Sequence, residues 1–262
     1  MSRLVGRSSL SNTLLCALFL VLSSPSLSPP AFAEEMRESE GNHVIIHYRG
    51  GVNAVAGHTI AILLEEAYLS VGGDFDYYLD EKIEAFLYGK ERFRDITRSP
   101  SWAGAIFDGA IKIPAGGITA KTDLLEEVLF HEYTHAVVHH LSRGRAPMWL
   151  NEGIAQFEEG KRQERYAPHL RKILSGQNTI SLRSLEGSFL GMNREDATVA
   201  YLLSLSATEY LVREFGVTAI RYILEELGKG SSLEEALSSV IYTSYDDLEK
   251  NWLLSLKRSL GK

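Results

Sequence analysis

Hydrophobic patterning separates a first part of the chain, where short strands alternate with helices, from a second part that is helical. Residues 43–48 are strand-like, and residues 57–70 carry apolar side chains at helical spacing. Residues 83–88 and 109–114 resemble further strands. Because proline cannot donate to a central ladder, Pro114 predicts that the last of these strands lies at a sheet edge. An extended peptide could pair with such an edge.

From Thr122 onward the spacing of apolar residues is helical. Thr122 is a plausible N-cap for an apolar helix that runs from 123 to about 141. Further helices are predicted over 147–159, 165–174, 196–215, 217–228, 231–241 and 245–258. The pattern predicts an α+β fold: a small mixed sheet with helices in a lobe over 34–145, followed by an all-helical lobe over 146–262.

Residues 1–33 have the pattern of a secretory signal peptide. Arg3 and Arg7 precede an apolar core over 14–22, and Ala31-Phe32-Ala33 fits an A-x-A cleavage site. The core is shorter than the roughly 20 residues that cross a bilayer as a helix. We therefore expect cleavage after Ala33 and an exported protein, periplasmic or extracellular, with no stable membrane span after cleavage.

Composition narrows the class of protein. The 262 residues are 45% hydrophobic and 23% charged, as in ordinary globular chains, with a net charge of −7. No Lys/Arg cluster is present, which argues against a nucleic-acid partner. Cys16 is the only cysteine and lies within the leader. The mature chain therefore has neither a disulfide nor a cysteine nucleophile.

The segment His131-Glu132-Tyr133-Thr134-His135 carries the candidate chemistry. On a helix, two histidines four residues apart differ by about 40° around the axis and about 6 Å along it, so both imidazoles can reach one metal ion. Glu132 is turned away from the ligand positions but is near enough to take a proton from metal-activated water. The segment thus supplies two ligands and a general base.

Glu152 is the candidate third ligand. The residues after His135 continue the helix into a turn over 142–146, and Pro147 has the position favoured at a helix start. If the two helices form a hairpin, Glu152 returns to the level of the histidines. Two histidines and one glutamate form a known ligand set for catalytic zinc. We predict one Zn²⁺ per chain, bound by His131, His135 and Glu152.

The two motifs together resemble a known family. The H-E-x-x-H segment, followed by Trp149-Leu150-Asn151-Glu152-Gly153-Ile154-Ala155, is similar to the gluzincin metallopeptidases, in particular the bacterial peptidase MA-like group. The resemblance spans roughly residues 43–256. It implies a zincin-like fold with the active site in a cleft between the two lobes, zinc at the three ligands, Glu132 as the general base, and peptide bonds in a peptide or protein as the substrate.

The sequence departs from related families at two points. Thermolysin-like members often carry an acidic residue four positions after the glutamate ligand, where this chain has Gln156. The G-x-M-E-N segment of aminopeptidases is absent, so we expect an endopeptidase. The family also uses a tyrosine or histidine of the helical lobe to bind the oxyanion. Tyr201 is the candidate, and a core tyrosine is an equal alternative.

Two other functions are compatible with the sequence. The first is a catalytically inactive zinc- or peptide-binding module of the cell envelope. The second is an envelope scaffold that acts through the helical lobe without zinc. Glu132 distinguishes the readings, because a binding module would tolerate its replacement by glutamine and a peptidase would lose turnover.

Overall fold

The computed structural model describes residues 36–48, 52–97, 104–176 and 181–261. Residues Glu35–Lys262 form one compact unit. The predicted leader over 1–33 lies outside the described residues, so its cleavage stays a prediction. The division into lobes at 145/146 also stays a prediction.

A mixed five-stranded sheet forms much of the first part. Its strands are β1 (Arg37–Glu40), β2 (Val44–Tyr48), β3 (Ile83–Tyr88), β4 (Ile106–Phe107) and β5 (Ile111–Pro114). Their order across the sheet is β1-β2-β3-β5-β4. The three inner strands are parallel, and the outer strands β1 and β4 pair antiparallel to their neighbours. The mixed α+β fold class predicted from the sequence is therefore confirmed.

The prediction that the strand ending at Pro114 lies at a sheet edge is wrong. Strand β5 lies between β3 and β4, and β4 is the outermost strand on that side. Proline is tolerated because β4 pairs only with Ile111 and Lys112 and ends before it reaches Pro114. The edge that an extended peptide could join is β4.

Three helices accompany the sheet: α1 (Ala54–Phe75), α2 (Lys90–Thr97) and α3 (Asp123–Ser142). Helix α1 begins where the Asn53 side chain accepts a hydrogen bond from the Ala56 amide at 2.7 Å. It packs against β2 and α3 through fully buried residues that include Ile60, Leu63 and Leu64. Helix α3 thus rests on α1.

Helix α1 bears on the predicted absence of a stable membrane span after cleavage. Among the described residues it is the one helix long and apolar enough to cross a bilayer. The absence of a span therefore stays a prediction. Length and composition are weak support for a span, since core helices of soluble proteins share them, and α1 contributes core residues here.

Six further helices follow along the chain: α4 (Met148–Glu158), α5 (Ala167–Ser175), α6 (Arg194–Phe215), α7 (Val217–Lys229), α8 (Leu233–Ile241) and α9 (Tyr245–Ser259). Helices α4 and α6 share the most extensive contact between any two elements. Trp149 on α4 is fully buried and donates its indole N–H to the Tyr245 hydroxyl of α9 at 2.9 Å. Helix α4 is thus held from both sides.

Two glycines allow helices to cross closely beside the candidate site. A Cβ at Gly153 of α4 would overlap the Ser204 carbonyl oxygen and the Thr208 hydroxyl of α6. A Cβ at Gly228 of α7 would overlap the Leu141 carbonyl oxygen of α3. The two helices that carry the candidate ligands are therefore packed closely against neighbouring backbone: α4 against α6, and α3 against α7.

The carboxyl groups of Asp74 and Glu158 meet where α1 and α4 end. Burial, followed by contact with Asp74, raises the pKa of Glu158 to about 8. The folded protein therefore holds this proton more tightly than the unfolded chain between the ordinary pKa near 4.5 and about 8. The contribution to stability is present at low pH and is lost as the pH rises through that window.

We predict that Glu158→Gln increases stability relative to the native protein at pH 8.5, with little difference at pH 4.5. Glutamine keeps the shape of the protonated carboxyl and cannot ionise. The expected gain is on the order of a few kcal/mol at most. Urea unfolding of both proteins at the two pH values measures it, with the exposed Glu164→Gln as control. An equal difference at both pH values would contradict the prediction.

Candidate metal centre

Helix α3 presents two histidines toward a cleft. The Thr122 side chain caps its start by accepting a hydrogen bond from the Leu125 amide at 3.2 Å, as predicted from the sequence. Tyr133, fully buried, and its neighbours on the same face anchor the helix in the core. The rings of His131 and His135 project from the other side, 4.6 Å apart and perpendicular.

The predicted hairpin brings Glu152 to these histidines. Arg143 and Gly144 take the left-handed conformation, with φ of 52° and 71°, and end α3. Helix α4 then returns along α3. Glu152 Oε2 lies 3.4 Å from His131 Nε2 and 3.7 Å from His135 Nε2. The structure therefore brings together the three residues that the sequence predicted as ligands.

The donor atoms fit a zinc ion. Zinc bonds of about 2.0–2.2 Å in a tetrahedral arrangement place neighbouring ligand atoms roughly 3.3–3.5 Å apart. The donor atoms of His131, His135 and Glu152 lie within 4.8 Å of one another. Glu152 Oε2 is buried and has no hydrogen-bond partner among the described residues. A buried carboxylate oxygen without a partner is costly, and a cation at this position would satisfy it.

Each histidine is oriented by a residue of α4 or by the residue that follows this helix. His135 Nδ1 lies 3.0 Å from Asn151 Oδ1, which can only accept, so Nδ1 carries the proton and Nε2 faces the site with a free lone pair. His131 Nδ1 lies 2.8 Å from Glu159 Oε2. Such partners of metal-ligating histidines fix the ring orientation and commonly affect metal affinity.

Glu159 was not among the residues predicted from the sequence. The position four residues after Glu152 is occupied by Gln156, which donates to the Tyr201 carbonyl oxygen at 3.0 Å and ties α4 to α6. Glu159 follows Glu152 by seven residues, which returns it to nearly the same face of the helix. That spacing is a signal that could have identified it.

Glu132 lies close both to the three candidate ligands His131, His135 and Glu152, here called the metal group, and to the backbone of Phe107. Its residue is 7% exposed, and its carboxylate accepts a hydrogen bond from the backbone N–H of Phe107 on β4. Burial raises the pKa of Glu132, and the nearby histidines and the Phe107 N–H offset that rise only in part. A buried carboxylate with a raised pKa is suited to accept and return a proton near neutral pH.

The electrostatics of the protein groups favour a positive charge at the ligands. Burial alone would lower the pKa of His131, but Glu152 and Glu159 outweigh it and raise that pKa to about 10. Burial alone would raise the pKa of Glu152, but His135, His131 and Lys161 outweigh it and lower that pKa. The carboxylates therefore stabilise a cation here, either a proton or a metal ion.

The ligands line a cleft of about 1500 Å³, larger than the roughly 300–1,000 Å³ of small-molecule pockets. Phe107 of β4 and Tyr201 of α6 also line it. Burial, and then the negative charges of Glu152 and Glu132, raise the pKa of Tyr201, so its hydroxyl stays protonated. Tyr201 therefore faces the same cleft as the metal group and can donate a hydrogen bond into it.

The fold and the site together define a class of protein. An α+β architecture carries two histidines one turn apart on a helix, a third donor from the next helix, and a buried glutamate beside them. This is the arrangement of a zincin-like metal centre.

The family of the chain is narrower than this class. It belongs to the Peptidase MA superfamily, whose model matches residues 77–258. None of the curated proteins compared with the chain matches it.

Solved structures are similar to the chain in fold. The M1 zinc metallopeptidase from Deinococcus radiodurans has a TM-score of 0.50 and 20% identity, over 83% of this chain and 51% of that one. Legionella pneumophila aminopeptidase A, in complex with aspartic acid, has a TM-score of 0.47 and 14% identity, over 84% of this chain and 27% of that one. The chain thus spans about half the length of the Deinococcus peptidase.

Proposed function

We propose that the chain is an exported, zinc-dependent endopeptidase. The observation that carries this proposal is the buried Glu152 Oε2, which has no hydrogen-bond partner among the described residues and faces the Nε2 atoms of His131 and His135. Membership of the Peptidase MA superfamily supports peptide bonds in a peptide or protein as the substrate class.

His131, His135 and Glu152 would hold one zinc ion, and Glu132 would act as the general base. When bound, zinc supplies Lewis acidity that activates water and polarises the carbonyl. Glu132 takes the proton of the attacking water and transfers it to the leaving amine. The Phe107 N–H holds the Glu132 carboxylate in place during both transfers.

The charges along the cleft support an endopeptidase. An aminopeptidase needs a free carboxylate to bind the substrate's amino group. Among the described residues, the acidic side chains that line the cleft are Asp108, Glu132, Glu152 and Glu159. The three glutamates belong to the metal site, and Asp108 pairs with Lys112. A peptide extended along β4 could therefore cross the cleft without presenting its amino end.

Incubation of the purified chain with a peptide library tests the proposal. Half of the peptides have free amino termini, and half are acetylated. Mass spectrometry locates the cuts in zinc-loaded protein, in protein stripped with a chelator, and in stripped protein given zinc again. We expect internal cuts in both halves of the library. Cleavage should be lost when the metal is stripped and should return when zinc is added again. Cuts confined to free amino termini would contradict an endopeptidase. Absence of cuts despite bound zinc would favour the binding-module alternative.

Export has its own test. We expect a bacterial host to release the protein from the cytoplasm with Glu34 as its new amino terminus. Fractionation and amino-terminal sequencing measure this. An intact amino terminus in the cytoplasmic fraction would contradict export and leave the peptidase proposal unaffected.

We predict that Tyr201→Phe lowers turnover by roughly tens to hundreds-fold with bound zinc unchanged, because the hydroxyl that would stabilise the oxyanion is lost. Steady-state kinetics on a library-derived peptide and metal analysis measure the two quantities. Tyr210→Phe, on the same helix but outside the cleft lining, is the matched control. An unchanged rate would remove Tyr201 from the mechanism and assign it to the core.

A further inference from the structure

A chain of charged groups leads from the metal ligands to solvent. His131 Nδ1 lies 2.8 Å from Glu159 Oε2, and the Lys161 ammonium forms an ion pair with the other oxygen, Glu159 Oε1. The Glu159 side chain is 6% exposed, whereas that of Lys161 is 34% exposed and lines the cleft. Lys161 therefore connects a buried partner of the metal group to the surface.

The carboxylates of the site outnumber the positive charges of one divalent ion, which favours one more positive charge nearby. Glu132, Glu152 and Glu159 contribute three negative charges when ionised, and a divalent ion contributes two positive charges. With neutral histidines the group would carry a net charge of −1 in a largely buried place, which is unfavourable. Lys161 brings the sum to zero. Within the described ranges, no other lysine or arginine forms an ion pair with these three glutamates.

The backbone holds Lys161 in this position. Gly160 ends the turn after α4 with φ of 84°, and the Lys161 amide donates to the Gln156 carbonyl oxygen at 3.1 Å. Lys161 is thus fixed to the end of the helix that carries Glu152, two residues after Glu159. The ion pair constrains one oxygen of the Glu159 carboxylate, and the contact with His131 involves the other oxygen.

We infer that Lys161 is a positioning residue for the metal centre: through its ion pair it holds Glu159 on His131 and balances the charge of the loaded site. Its effect on zinc affinity follows from the described geometry, whereas its effect on turnover rests on the proposed function. Partners one step from the ligands commonly change metal affinity 10–100-fold, so a residue acting through such a partner belongs at the lower end of that range.

Zinc affinity, measured by competition with a chromogenic chelator, tests this inference without relying on catalysis. We expect Lys161→Gln to weaken zinc binding about 10-fold, and Lys161→Arg to restore it to within about threefold of the native value. Lys229→Gln is the matched control, because it removes a lysine–glutamate pair on the exposed surface of α7. Circular dichroism shows whether each variant is folded.

A double-mutant cycle separates positioning from a general loss of structure. In a Glu159→Gln background, Lys161→Gln should cause no further loss of affinity, because its partner is already gone. Equal losses in both backgrounds, or native affinity in Lys161→Gln, would overturn the inference. Weakened zinc binding in a protein that cuts no library peptide would support Lys161 while contradicting the peptidase proposal.

Discussion

Glu132→Gln is expected to lower turnover by about 10²–10⁴-fold while the protein still binds one zinc ion per chain. Glutamine has nearly the same shape as glutamate, and its carbonyl oxygen can still accept the hydrogen bond from Phe107. It cannot accept the proton of the attacking water. Because Glu132 is not among the three candidate ligands, the affinity for the metal should change little.

Kinetics with a peptide from the library and metal analysis of the same sample measure this prediction. Glu127→Gln is the control, since Glu127 lies on the same helix and does not line the cleft. Native turnover in Glu132→Gln would exclude Glu132 as the base. Loss of zinc together with turnover would show that Glu132 supports the metal instead.

Gly153→Ala is expected to destabilise the protein by about 3 kcal/mol and to weaken zinc binding more than 10-fold. The added methyl group would overlap the Ser204 carbonyl oxygen and the Thr208 hydroxyl. The hydroxyl can rotate, but the carbonyl belongs to the backbone of α6, so the two helices must separate. Glu152 is adjacent to Gly153 and would move with α4.

Thermal melting of the zinc-free protein and chelator competition measure the two effects of Gly153→Ala. Gly89→Ala is the control, since a Cβ there meets no atom within 4 Å. Native stability with native zinc affinity in Gly153→Ala would show that the crossing of α4 and α6 can relax without moving the ligand.

The sequence predicted the hairpin of the site because each step depends on local rules. The Thr122 cap, the four-residue spacing of the histidines and the turn before Pro147 are all short-range signals, and the structure has each of them. The predicted ends of the six helices from α4 to α9 agree with the structure within two residues for the same reason. The fold class followed from this periodicity.

The missed features depend on partners distant in sequence. Strand β1 is entirely polar and β4 has two residues, so neither has an alternating pattern. The position of β4 beyond β5 is set by pairing, which the proline in β5 does not reveal. The contact of Glu159 with His131 depends on how α4 lies against α3, and the close approach at Gly153 depends on α6.

The hairpin of α3 and α4 also has a consequence for the order of folding. Its three donors fall between residues 131 and 152, so an ion bound there closes a loop of about 20 residues, at a small cost in chain entropy. Ser204, which packs on Gly153, follows it by 51 positions along the chain. Short-range contacts form early, so the hairpin could capture its ion before α6 arrives. The metal would then act as a nucleus for assembly of the helical part, and a chain that folds without it would have to close α4 against α6 with a proton on His131 as the charge that compensates Glu152.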